Sequence, residues 1–259
     1  TPQPTITDVT LNVDLRPRQH TFTAAGTYQI ENRTGAPLTH VHLNWPQFID
    51  IDRIEIDGAT IERDYMAEAE GYPYQIWRCT TPMQPGERRE LRFATADRRQ
   101  GFRNSNVLAN VQNNGTFLNN YVFTPVFGFN RASTLQDRNA RRRQGLPTEL
   151  RMPRLEDDAA RQFQYLRHDS DWVNADITVT TDEGQIPIAP GYLVSDETRD
   201  GRRTARFRTD APIMHFFSIQ SADYEVATGR WNDVDLSIYF HREHGYNVDR
   251  MMRAMEVSL

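Results

Sequence analysis

The sequence predicts an all-β protein of mainly antiparallel strands, arranged as a large saddle-like β-sandwich. Three observations support this class: apolar and polar residues alternate along most of the chain, turn residues recur about every 8–12 residues, and strands do not alternate with helices. One or two short helices are expected within residues 133–166, and another helix starts near the C-terminus. A length of 259 residues fits one or two domains of roughly 150 residues each.

Period-2 alternation marks strands in both halves of the chain, and it is typical of strands with one buried and one solvated face. The first half shows it over Val9–Leu15, Phe22–Ile30, Val41–Trp45, Ile49–Ile56 and Leu91–Phe93. The second half shows it over Val173–Val179, Ile186–Ile188, Ala205–Phe207 and Val234–Phe240, and the mostly apolar run His215–Ile219 predicts a buried strand.

Three local signals refine the strands. The isoleucines between residues 49 and 56 change parity half-way, which predicts a β-bulge near Asp52-Arg53. The pair Asp57-Gly58 is a hairpin-turn signal, so we expect the chain to return along a strand towards Ile61. In the same way, the turn residues at 182–184 predict that the following strand returns beside the preceding one.

The middle of the chain predicts a helical excursion from the sheets over residues 133–166. A first helix is expected over 133–145, with Ser133 as its cap, Gln136 completing a capping box and Gly145 at its end. A second short helix is expected over 155–166, and prolines between the two break any continuous helix. About forty residues hold too little apolar surface for a separate domain.

The last residues predict an amphipathic helix that begins after Asn247, a good capping residue. Its apolar stripe consists of Val248, Met251, Met252, Met255 and Leu259. The sequence stops on this stripe, so we expect residues 1–245 to form one β domain. Residues 246–259 are then the truncated first helix of a following domain, which covers the stripe.

Composition and charge exclude several classes of function. There are 30 basic and 35 acidic residues, and the resulting net charge of −5 disfavours nucleic acid as a partner. Cys79 is the only cysteine, so an internal disulfide and a multi-cysteine metal site are ruled out. Every basic residue is an arginine, which excludes lysine chemistry. No uncharged apolar stretch approaches the roughly 18 residues that cross a bilayer.

No metal site is complete in the sequence. His40 and His42 share a strand face, but they lie on its polar side and no third ligand is visible, so a solvated face is favoured over a metal site. His241 and His244 lie between a strand and a helix cap, so an ordinary loop position is favoured over zinc binding. The acidic residues of 50–58 resemble a calcium loop, yet the closing Glu of such a loop is absent.

No nucleophilic or phosphate-binding site is complete either. The G-x-S-x-G elbow and the Gly-rich phosphate loop are both missing. His168-Asp169-Ser170 are neighbours in sequence, which is no evidence for a catalytic triad, because triads are assembled in space. We therefore assign no catalytic residue and no metal ligand to this chain.

Several stretches together resemble the N-terminal domain of the membrane-alanyl-aminopeptidase family of zinc gluzincins. More narrowly, they resemble the bacterial branch in which the peptidase is joined to an ABC-type permease. The similarity covers nearly the whole chain and is strongest over 110–250. It is carried by Asn114–Asn119 (NGTFLN), Phe127–Arg131 (FGFNR), Arg142–Pro147 (RRQGLP), Asp171–Val173 (DWV), Gln185–Leu193 (QIPIAPGYL), Arg202-Arg203, Asp210–Val226 (DAPIMHFFSIQSADYEV), Trp231, Val234–Phe240 and His244–Val248 (HGYNV).

The resemblance implies a saddle-like β domain that carries no zinc and walls the substrate cleft. In the family, catalysis belongs to the next domain, where H-E-x-x-H and a downstream Glu hold zinc and a G-x-M-E-N loop binds the substrate. Neither motif occurs here. The implied partners are that catalytic domain and, through the parent protein, a peptide. A membrane enters only through the permease, at the extracytoplasmic face of a bacterial membrane.

The resemblance also implies where the substrate would be met. Many members anchor the substrate's α-amine with a Gln or Glu of the N-terminal domain, and the corresponding loop here runs from Asn113 to Pro125. It offers Asn114, Thr116 and Asn119 at the cleft edge but no acid. A neutral amide accepts from an ammonium without the Coulomb attraction of a carboxylate, so the parent is an aminopeptidase or a degenerate relative.

A different class of function remains open. A free-standing β-sandwich binding module, for carbohydrate or for protein docking, would need no active site. It would present exposed, coplanar aromatic side chains and a C-terminal end that is covered by the chain itself.

Overall fold

The computed structural model describes residues 2–68, 71–98, 110–129, 134–148, 154–158 and 170–259. The described residues are mainly strand, as predicted. The strands are β1 (Thr5–Arg16), β2 (Thr21–Glu31), β3 (Leu38–Asn44), β4 (Asp50–Ile56), β5 (Ala59–Asp64), β6 (Tyr74–Met83), β7 (Arg88–Asp97), β8 (Thr116–Asn119), β9 (Val126–Phe127), β10 (Trp172–Asp182), β11 (Ile186–Ile188), β12 (Tyr192–Arg199), β13 (Arg202–Arg208), β14 (Ile213–Met214), β15 (Ser218–Ala222), β16 (Glu225–Trp231) and β17 (Val234–Phe240).

Four sheets are formed by these strands. The large sheet has the order β12-β13-β10-β1-β2-β7-β4, with β14 paired to β10. A four-stranded sheet has the order β5-β6-β3-β9, a three-stranded sheet has the order β11-β15-β8, and β16 with β17 forms a hairpin. β1 and β10 run parallel, whereas the other recorded pairs are antiparallel.

The hydrophobic core lies against the inner face of the large sheet. Alternate residues of its central strands are fully buried, while their neighbours in sequence face solvent. Tyr28, Leu91, Phe93 and Ile177 are each completely inaccessible, and Leu43 and Leu118 of the smaller sheets join the same core. The period-2 pattern of the sequence therefore identifies the buried face correctly.

The predicted bulge is confirmed, but two predicted strand pairings are wrong. The register of β4 on β7 shifts between Ile51 and Arg53, where the parity changes. Asp57-Gly58 does turn the chain, and Gly58 has φ +65°, yet β5 pairs with β6 of another sheet rather than with β4. Likewise β11 pairs with β15 and not with β10. A turn sequence fixes the reversal of the chain, whereas the pairing partner is chosen by packing.

The helical excursion is shorter than predicted. The helix α1 spans Arg138–Arg143, and its cap is Asp137, whose Oδ1 accepts from the Ala140 N–H at 2.7 Å. Gln136 instead donates its amide to Thr134, so the predicted capping box is wrong, and Ser133 lies outside the described residues.

Both ends of the excursion can be compared with the prediction. Gly145 ends α1 as predicted, with φ +68° and a Leu146 N–H to Arg141 carbonyl bond of 2.9 Å that completes a Schellman motif. Of the second predicted helix, residues 155–158 form turns and no helix, and residues 159–166 lie outside the described part.

The C-terminal helix exists as predicted. A 3₁₀ segment over Arg242–Asn247 leads into α2, Val248–Ser258, although the Asn247 side chain makes no capping bond. α2 packs on the β16–β17 hairpin: a Cβ atom at Gly229 would lie 2.6 Å from the Met252 Sδ.

The apolar stripe of α2 is divided between two environments. Val248 is buried and Met252 and Met255 are half-buried, whereas Met251 and Leu259 are 50% and 56% exposed. The expectation that the whole stripe is covered by another domain is therefore corrected, because this chain covers part of it. The division into residues 1–245 and 246–259 stays a prediction.

Candidate functional site

The loop that follows residue 110 is held in place by three side chains. Two of them, Asn114 and Asn120, belong to the loop, and the third, Gln185, comes from the turn after β10. Asn114 Oδ1 accepts from the Asp223 N–H at 2.7 Å, which ties the loop to the base of the β16–β17 hairpin. Gln185 donates its amide to the Asn113 carbonyl. Asn120 is completely buried, and its Oδ1 accepts from the Phe217 N–H at 3.1 Å. The loop is thus fastened to the strands around β15.

A buried polar cluster supports the Gln185 anchor. The Gln185 Oε1 accepts from the Ser221 hydroxyl at 2.7 Å, and the Thr181 and Ser221 hydroxyls are 2.7 Å apart. All three side chains are buried. Because buried polar groups need partners, this cluster fixes the position of the loop with little freedom.

Of the three residues predicted at the cleft edge, two make hydrogen bonds within the protein and the third is buried. Thr116 is 2% exposed, so its hydroxyl lies inside the protein. Asn119 Oδ1 caps the following 3₁₀ turn by accepting from the Tyr121 N–H at 2.9 Å. Asn114 is exposed, but its Oδ1 is occupied by Asp223. A substrate contact of these residues stays a prediction.

Sequence reasoning missed the aromatic side chains that this loop and its neighbourhood expose. Phe117 is 55% exposed on β8, and Phe216, 41% exposed, lies 5.0 Å from Tyr121 between ring centroids. The signal for Phe117 was present, since it alternates with the buried Thr116 and Leu118. Such exposed rings are typical of contact surfaces.

The histidine pairs have partners other than a metal. His40 Nε2 lies 2.8 Å from Glu62, and His42 Nδ1 lies 2.5 Å from the Tyr74 hydroxyl. Burial, and after it the neighbouring His40, lowers the pKa of His42 below 6.5. The rings of His241 and His244 are 6.1 Å apart.

No metal-ligand group is assembled in the described part of the chain: three or more His, Cys, Asp or Glu side chains nowhere converge there on one point. In the segment that resembles a calcium loop, Asp52 forms an ion pair with Arg98 and Asp57 forms one with Arg92. These two carboxylates are therefore bound to arginine. Of the sequence neighbours His168-Asp169-Ser170, only Ser170 is described, and it contacts the Tyr121 hydroxyl.

Aromatic residues cluster at one end of the four-stranded sheet. Tyr65, Tyr72, Tyr74 and Phe129 have ring centroids 5.5–6.3 Å apart, but their planes are tilted by 37–78°. These rings therefore share no flat stacking surface of the kind that the binding-module hypothesis requires.

The outer face of the large sheet carries arginine–aspartate pairs. Asp176 accepts from Arg206 at 2.7 and 2.8 Å and from Arg208 at 2.7 Å. Hydrogen bonds from Arg206 and then from Arg208 lower the pKa of Asp176 to about 2.

Membrane-crossing helices are not found among the described residues, where each helix is too short or too polar to traverse a bilayer.

Comparison with known proteins gives a match in fold. No protein-family model and no curated protein sequence matches the chain. An M1 zinc metallopeptidase from Deinococcus radiodurans superposes with a TM-score of 0.55 and 13% identity, over 92% of this chain and 47% of that one. A mutant of an M1 zinc metallopeptidase from the same organism, bound to a Tyr-Ser-Ala substrate, gives 0.54 and 15%, over 92% and 46%.

A third structure agrees with these two. A two-domain M1 zinc metallopeptidase mutant bound to L-arginine gives a TM-score of 0.53 and 13% identity, over 91% and 46% of the two chains. The class of fold is thus defined: it is the fold found in the N-terminal domain of M1 zinc metallopeptidases. The chain spans about half the length of these structures.

Proposed function

We propose that this chain acts as the non-catalytic N-terminal domain of a zinc aminopeptidase-like protein. In that role it forms one wall of the substrate cleft and docks the catalytic domain. One observation carries the proposal: 92% of the chain superposes on about half of an M1 metallopeptidase, in the part formed by its N-terminal domain. The zinc and the reaction then belong to a catalytic domain whose motifs are absent from this sequence.

Zinc does not fit the described residues of this chain. Structural and catalytic zinc sites need three or four converging His, Cys or carboxylate ligands, and no such group occurs in the described ranges. We therefore place no catalytic step on this chain. Its proposed contribution is to position the loop at 113–125, and with it Asn114, Thr116 and Asn119, at the edge of the peptide-binding cleft.

The docking surface in this proposal is the exposed part of the apolar stripe of α2. Met251 is 50% exposed and Leu259 56%, and both belong to that stripe. Exposed apolar side chains on one stripe of a helix are typical of a surface that another element covers. The catalytic domain of the parent protein is the proposed cover.

The proposal is tested with the 259-residue chain and with the full-length protein. We expect the chain to bind no stoichiometric zinc and to leave aminoacyl-anilides uncleaved, because it lacks a ligand set. We expect the full-length protein to contain one zinc per chain and to release amino-terminal residues. Elemental analysis and an anilide assay measure both. Tight zinc together with turnover in the 259-residue chain would overturn the proposal.

We further propose that the parent is a bacterial membrane protein in which the peptidase region is joined to an ABC-type permease, with this domain at the extracytoplasmic face. Support comes from the sequence resemblance over 110–250. The coding sequence after Leu259 tests it: an H-E-x-x-H motif and membrane spans are expected, and their absence would refute it.

The alternative is a free-standing binding module for carbohydrate or protein. Titrating the tryptophan fluorescence with oligosaccharides separates the two functions. The alternative requires a saturable response from exposed rings such as Trp172, which is 60% exposed. The leading proposal expects no change in tryptophan emission.

A further inference from the structure

The outer face of the large sheet contains a depression of about 290 Å³ above its central strands. Thr178, Asn12, Ala25 and Ala94 form one row across β10, β1, β2 and β7, because each is the registered neighbour of the next. At about 4.8 Å between strands, this row is roughly 14 Å long. The floor of the depression is therefore made of short, uncharged side chains.

Polar groups on this floor are available for a ligand. Asn12 and Thr23 are exposed and Thr178 is half-exposed, and within the described part of the chain their side chains make no hydrogen bond. Each hydroxyl and amide can both donate and accept. The methyl groups of Ala25 and Ala94 lie beside them and offer a small apolar contact.

The charged groups beside the depression are already paired. Asp14 accepts from Arg16 at 2.8 Å and also from Arg202. Asp52, at the other side, accepts from Arg98 at 2.8 Å. A charged ligand would find no uncompensated partner here, because each of these carboxylates is already paired with an arginine. The lining thus favours a ligand that is polar but neutral.

We propose that this depression binds a neutral, hydroxyl-rich oligosaccharide. Hydroxyl groups of a sugar match the donating and accepting side chains of Asn12, Thr23 and Thr178, and its C–H face matches the alanine methyl groups. The site involves no tryptophan and lies on the large sheet, away from the loop at 113–125. The proposed sugar binding does not depend on the proposed peptidase role, so each can be tested without the other.

The test is a titration of the ¹⁵N-labelled 259-residue chain with maltohexaose, cellohexaose and chitohexaose, followed by NMR. We expect at least one of them to shift the Asn12 side-chain amide and the backbone amides of 10–14, 23–27 and 176–180 saturably. An open site of this size suggests a Kd on the order of 1 mM.

Two variants locate the binding. Ala25→Phe fills the depression and is expected to weaken binding about tenfold or more. Thr228→Phe places the same side chain on the exposed face of β16 and is expected to leave binding unchanged. The proposal is overturned if none of the three sugars shifts these resonances at about ten times the expected Kd. It is equally overturned if Ala25→Phe binds like the unaltered chain, or if only a charged polysaccharide or a peptide binds there.

Discussion

Asp176 is held by Arg206 and Arg208, and its pKa of about 2 lies below the ordinary 3.8. A carboxyl whose pKa is lower in the folded state contributes stability above its unfolded pKa. That contribution is lost as the pH falls from about 4 through about 2. The pair is partly solvated, so screening limits its contribution to about 1 kcal/mol.

We therefore predict that Asp176→Asn lowers the free energy of unfolding by about 1 kcal/mol at pH 7 and by much less at pH 2. Urea unfolding at both pH values measures this. Asp233→Asn is the control, because Asp233 is fully exposed and 4.0 Å from Arg230. A loss of equal size at both pH values would contradict an electrostatic origin.

Gly26 shows a steric requirement that the sequence pattern does not reveal. It lies on the buried side of β2, where a Cβ atom would lie 2.4 Å from Phe93 Cζ and 2.6 Å from a Leu11 methyl group. Both neighbours are completely or almost completely buried, so neither can move into solvent.

We predict that Gly26→Ala destabilises the fold by about 1–3 kcal/mol through overpacking. Gly35→Ala is the matched control, because nothing lies within 4 Å of its Cβ position. Thermal unfolding of both variants measures the difference. A Gly26→Ala protein as stable as the control would show that the core at Leu11 and Phe93 adapts.

Between elements, Gln185 connects the turn after β10 to the loop that carries Asn114. Replacing it by Leu leaves the buried Ser221 hydroxyl and the partly buried Asn113 carbonyl without this partner. We predict that Gln185→Leu costs about 1–3 kcal/mol of stability. Hydrogen exchange is expected to accelerate at residues 113–119, while exchange in α2 stays unchanged; equal acceleration in both segments would argue against a local anchor.

The contact between α2 and its hairpin is a second relation between elements. Met252 lies over Gly229, so Gly229→Val and Met252→Ala act at one contact. We predict a coupling of about 0.5–1 kcal/mol, because the shortened side chain makes room for the valine. Urea unfolding of the two single variants and the double variant measures it, and strictly additive effects would show that α2 does not depend on this contact.

At the level of the whole molecule, the parallel pairing of β1 with β10 joins the two halves of the chain. β1 lies between β2 and β10 in the middle of the large sheet. Residues 1–148 alone would expose an edge of β1 and would lack Ile177 and Val179, so the core that packs against these two residues would be open to solvent.

We predict that fragments 1–148 and 149–259 are each unfolded alone and regain near-ultraviolet circular dichroism when mixed. The physical reason is that one continuous core is divided between them, so neither half buries enough apolar surface. A cooperatively folded 1–148 fragment would contradict the single core.

The sequence located most strands, the bulge in β4, the end of α1 and the position of α2. These features depend on local rules: a period of two decides which side chains face the core, and glycine permits a positive φ. It did not locate the cap of α1, because Asp137 and Ser133 are both good capping residues and only the backbone path selects one. The role of the loop at 113–125 stays a prediction, and the sequence did not show that Asn114 and Asn119 bond within the protein or that Thr116 is buried.

By itself, then, the sequence determined an all-β chain, its buried faces, and the lack of a complete metal or nucleophile motif. Only the tertiary structure decided that β5 and β11 pair with strands other than the ones that precede them. It also decided that β1 pairs with β10 and that Thr116 is buried. The alternation of apolar and polar residues over a few neighbouring positions is enough to predict which side chains are buried. Pairing partners lie outside such a short window. The pairing of β1 with β10 and the depression above Asn12 bring together residues more than a hundred positions apart, so both depend on packing of the complete core.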